Sequence, residues 1–250
     1  MQTAKTAEEA FELYAKAKAE NALIQGSWHR GGYGGEGDGR MLACGLGIIG
    51  PDVNSPSDCP AEIMPRWLAQ MVPWFFDHQK PDDAFDWGER FYAELKRLNG
   101  KVPFSVVHAW HAKVVGPLAI EVAEKYGRDA TPHRLLAEMQ FAALTGKKFS
   151  ADEWRPILKD AFRRIYLVRY VTYANAYADA YADADAYAYA DADANAYANA
   201  YADAYAYADA YAYANANAYA YANAYADADA DAIKRLADGM VACLSEVGTK

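Results

Sequence analysis

Residues 173–232 read YANAYADAYADADAYAYADADANAYANAYADAYAYADAYAYANANAYAYANAYADADADA. Every even position is Ala, and the odd positions hold 14 Tyr, 10 Asp and 6 Asn. Strict alternation is the pattern of a strand, because strand side chains change face at each residue. A strand here would put Ala on one face and Tyr, Asp and Asn on the other, and stacking of such strands would follow. Three features weigh toward helix. The segment runs without Gly or Pro, although strands average only about 5–6 residues and need turns. Ala is the best helix former and a poor strand former, and Asp and Asn are poor in strands. Helical patterns also flank the segment on both sides, with no breaker between. In a helix, Tyr173, Tyr177 and Tyr181 recur four residues apart, as do Tyr197, Tyr201 and Tyr205, so each set stacks on one face. The Tyr phase drifts along the segment, and the Asp- and Asn-rich stretches at 183–185, 191–193, 215–217 and 227–231 are natural corners. Two or three shorter helices are therefore expected, with a β-type stack and disorder as the alternatives.

Outward from the repeat, the remaining chain reads as helical. Thr6 with Glu9 is a capping box that opens a helix over 7–23. A Gly-rich loop, GSWHRGGYGGEGDGR, follows, and MLACGLGII (41–49) is a short buried segment of open type. Residues 61–79 read as helix with breaks at Pro65 and Pro73. Residues 82–98 carry Asp82 and Asp83 at the start, Lys96 and Arg97 at the end, and Gly100 beyond. Residues 104–126 are apolar at helical spacing with a kink at Pro117. Thr131-Pro132 is an N-cap and first-turn pair for a helix over 132–144. Ser150 with Glu153 is a second capping box, with Pro156 in the helix it opens. Ile233, Leu236, Met240, Val241 and Leu244 share one face of a closing helix over 232–246. No convincing strand stands outside the repeat, so the reading is all-α. It divides into 1–103, a helical domain with the Gly-rich loop, and 104–250, a helical array that includes the repeat.

Charge separates in the same way. The chain has 34 acids and 25 bases, net −9. The repeat contributes ten acids and no base, which leaves 24 acids and 25 bases elsewhere. The near-neutral body offers no basic face for nucleic acid or an anionic membrane. No apolar run approaches the roughly 18–20 residues of a membrane helix. The polar N-terminal MQTAKTAEEA and the sparse set Cys44, Cys59 and Cys243 point to the cytoplasm and reduced thiols.

Two stretches carry a family likeness. Trp28, GGYGGEGDGR, Cys44 and Gly47, followed by MVPWFFDHQKPDDAF, resemble an uncharacterised domain common in bacterial and phage proteins. That domain has an Asn-Asp step where this chain offers Asp77-His78 or Asp82-Asp83. Residues 106–127, 130–150, the repeat and 233–247 are similar in order and composition to bacterial immunity proteins with Ala-rich helical arrays. The likeness covers roughly 104–248. It implies a helical repeat and the binding and blocking of a toxin, with no established activity.

Candidate chemistry is thin. His108 and His111, three residues apart, share a helix face and can contact one metal, but two ligands are not a site; the simpler reading is two histidines on a partly buried helix. No metal and no cofactor is expected. The Gly-rich loop lacks the Lys-Ser/Thr of a phosphate loop and carries Glu36 and Asp38, which repel phosphate. Trp28, His29, Arg30 and Arg40 are its candidate ligand contacts. Cys44, with His29 as base, is a weak candidate nucleophile beside its reading as a buried thiol. Trp74 and Phe75 form a candidate partner patch, with core as the alternative. Tyr197, Tyr201 and Tyr205, with Asp203 and Asp209, form a candidate contact surface, because Tyr supplies large area at low entropy cost. The expectation is a non-enzymatic phage or bacterial accessory protein that binds a protein partner, preferably a basic one. A self-assembling repeat protein is the alternative, and a metal- or nucleotide-binding enzyme the third reading.

Overall fold

The computed structural model describes residues 2–30, 41–177 and 230–248, and they are mostly helical. Helix α1 is Ala7–Ala19. Thr6 caps it by accepting from the Glu9 N–H at 3.1 Å, and the Glu9 carboxylate accepts in turn from the Lys5 N–H at 2.7 Å. The helix ends earlier than its pattern suggests, because Asn21 takes a left-handed backbone with φ 52°.

Helix α2, Arg66–Asp77, starts after Pro65 and continues through Pro73. The expected break at Pro73 is absent, and the energetics explain why. A proline inside a helix costs about 3 kcal/mol. Trp67, Leu68, Met71, Val72, Phe75 and Phe76 lie around it and are all buried, each contributing roughly 1.5–3 kcal/mol. Helix α3, Pro81–Arg97, has Pro81 in its first turn, with Asp82 and Asp83 beside it. The chain then turns through Asn99 (φ 50°) and Gly100 (φ 71°).

The 104–126 region forms α4 (Ser105–Trp110), a wide π turn (His111–Val115) and α5 (Gly116–Lys125). The expected kink at Pro117 takes the form of this π turn. Pro117 has no N–H to give the preceding turn, and the Gly116 N–H reaches back five residues to the His111 carbonyl. Helix α6 is Thr131–Leu144. Thr131 lies inside it rather than capping it; Asp129 accepts from the Thr131 N–H at 2.9 Å. Helix α7, Ala151–Tyr177, opens on a complete capping box: Glu153 N–H donates to Ser150 Oγ at 3.3 Å, and Ser150 N–H to Glu153 Oε2 at 2.8 Å. Helix α8 is Ala230–Ser245. At both ends the described residues of the repeat, 173–177 and 230–232, are helical. The expectation for 178–229 lies outside the described residues.

One element escaped the sequence reading. His29–Arg30 (β1) and Leu42–Ala43 (β2) pair antiparallel, His29 opposite Ala43 and Arg30 opposite Leu42. Two-residue strands are too short to show a period. A 3₁₀ turn at Gly47–Ile49 completes the 41–49 segment, which is buried from Ala43 to Ile49; Met41, expected inside, is exposed.

The chain forms two compact units, Met1–Val106 with Ile233–Lys250, and Val107–Ala232. The division falls between Val106 and Val107, and the closing segment Ile233–Lys250 belongs to the first unit. Ile233, Leu236, Met240, Val241 and Leu244 are buried, as their spacing indicates. The Trp87 indole N–H donates to the Ala237 carbonyl at 2.9 Å. Arg97 donates to the Leu244 and Val247 carbonyls at 2.7 and 2.8 Å, satisfying acceptors that a helix C-terminus leaves open. The first core holds Tyr14, Trp74, Phe75, Phe76, Trp87, Phe91 and Tyr92, all fully buried. Its two tyrosine hydroxyls end on backbone carbonyls: Tyr14 on Phe85 at 3.1 Å and Tyr92 on Gly45 at 2.7 Å.

Candidate functional site

Trp28, Cys44 and Gly47 come together around one carbonyl. Trp28 O accepts from the Cys44 N–H at 3.1 Å. Gly47 packs so close to it that a Cβ there would lie 2.3 Å from that oxygen. The Gly47 N–H in turn lies 3.3 Å from Cys44 Sγ. The Cys-x-x-Gly spacing is therefore a packing requirement. His29 Nε2 lies 2.9 Å from the Gly47 carbonyl and 3.2 Å from that of Gly50. Carbonyls only accept, so Nε2 carries the proton and is committed to holding the turn. Burial pushes the Cys44 thiol up from its ordinary value, against the lowering effect of nearby backbone N–H groups. A buried thiol held protonated is not an activated nucleophile, so the Cys44–His29 pairing has no support in the geometry. Trp28 and His29 are half-buried. Arg40 lies outside the described residues, and Arg30 is described only through its backbone pairing.

Trp74 and Phe75 are 1% and 0% exposed. The candidate partner patch is thus interior and presents no surface. Phe75 packs against Trp87 with ring centroids 5.5 Å apart, and Trp74 stacks on His78 at 5.6 Å. The pattern of α2 is apolar nearly all round, which marks a buried helix.

His108 and His111 belong to a polar layer inside the second unit. His108 Nδ1 lies 2.6 Å from Gln140 Oε1 on α6, and its ring stacks at 6° on Trp154 of α7. His111 and His133 are each 2% exposed, and Gln140 is fully buried with its Nε2 lacking a hydrogen-bond partner. Burial pushes His111 down to about 3, helped by the neighbouring His108. Burial also takes His133 down to about 4, with Arg164 lowering it and Asp129 opposing. Among the described residues no group of three or more His, Cys, Asp or Glu could hold a metal ion. Sequence reasoning missed His133, Gln140 and Trp154 as neighbours of the pair. His133 and Gln140 are seven residues apart on one helix face, and that spacing was the available signal.

Tyr197, Tyr201, Tyr205, Asp203 and Asp209 lie outside the described residues. No helix among the described residues is long and apolar enough to cross a membrane. No family model, curated protein or solved structure matches the chain.

Proposed function

We propose that this chain is a non-enzymatic binding protein whose helical body carries an acidic, Tyr-rich segment to a basic protein partner, in the manner of an immunity protein. The observation that carries the reading is the segregation of charge: ten Asp, 14 Tyr and no Lys or Arg between residues 173 and 232, beside a body of 24 acids and 25 bases. Tyrosine gives contact area at low entropy cost, and a field of one sign steers an oppositely charged partner and suppresses others. Tyr197, Tyr201, Tyr205, Asp203 and Asp209 are the proposed contacts. The states of the reactive side chains in the body support the same reading. Cys44 is buried as a thiol, His29 holds a turn, and His111 and His133 are buried as neutral rings.

The test keeps the length and the tyrosines and removes only charge. Replacing the ten repeat aspartates by Asn takes the net charge from −9 to +1, since ten acids are lost. The full chain should capture a basic protein from cell extract, and capture should weaken with added salt and fail for the Asn-substituted chain. Capture that is indifferent to both changes would overturn the reading. The strict alternation of the repeat favours a second reading, a self-assembling protein with stacked strands, for which fibres with a roughly 4.7 Å reflection are the signature.

A further inference from the structure

We draw no further inference here: the strongest candidate, the outer face of α6 where Leu135 and Phe141 are 45% and 46% exposed, is an apolar surface patch, and nothing in the structure shows what covers it.

Discussion

Replacing Trp87 by Phe tests what holds the closing helix to the first unit. Trp87 is fully buried, stacks on Phe91 at 4.9 Å, and donates to the Ala237 carbonyl of α8 at 2.9 Å. Phenylalanine keeps a ring in the stack but has no donor. The carbonyl retains its helical partner, so the lost hydrogen bond costs about 1 kcal/mol rather than the full penalty of an orphaned group. The smaller ring leaves a void of roughly 40 Å³, which at about 24 cal/mol per Å³ adds about 1 kcal/mol. The expected loss is therefore about 2 kcal/mol. The ion pair between Arg90 and Asp238 spans the same helices at 2.5 Å, but its side chains are 47% and 35% exposed. Arg90→Ala should cost under about 1 kcal/mol, because solvent screens such pairs. Native-state hydrogen exchange of α3 and α8 in the full chain reads the first unit by itself. A Trp87→Phe cost below about 0.5 kcal/mol, or an Arg90→Ala cost of equal size, would refute the argument that the buried indole and its packing anchor α8.

Three further outcomes follow from particular residues. Gly100 has φ +71° and a Cβ there would lie 2.1 Å from the Glu62 carbonyl, whereas Gly127 has φ +63° with open space around it; Gly127→Ala should cost about 1–2 kcal/mol in chemical unfolding and Gly100→Ala clearly more. Thr6→Ala removes the cap of α1 and should lower the stability of the first unit by about 1 kcal/mol in the same assay. The pH dependence of the second unit has a definite sign. His111 and His133 are held near 3 and 4 against an ordinary 6.5, so the unfolded chain binds more protons between those values. Stability is full above 6.5 and falls as pH drops toward 4 and 3. At pH 5 the loss is about 2 kcal/mol for each ring, to be read by pH-dependent unfolding with and without His133→Gln.

Most helices were legible because their signals are local. Thr6–Glu9 and Ser150–Glu153 announce helix starts through contacts three residues apart, and Gly100 marks the stop that follows α3. The spacing of Ile233, Leu236, Met240 and Leu244 gave the buried face of α8. What that face packs on was not legible. Trp87 and Ala237 are 150 residues apart in sequence, and no local pattern relates them. For the same reason nothing local in the closing helix says that it belongs with the first unit. Pro73 was read by its local cost, while the aromatic burial on either side that outweighs it is a tertiary quantity. Trp74 and Phe75 were legible as large apolar groups, but whether such groups face solvent or a core depends on what covers them.

The sequence by itself determined the helical class, the starts and stops of most helices, and the concentration of acid and tyrosine in residues 173–232. Composition and spacing of a few residues suffice for these, because backbone hydrogen bonds and net charge are local or additive. Only the tertiary structure decided that α8 closes the first unit, that Cys44 and Gly47 support the Trp28 carbonyl, and that His111 and His133 are each buried. Each of these depends on which distant segments exclude water from one another, and that exclusion is a property of the packed chain rather than of any segment in it.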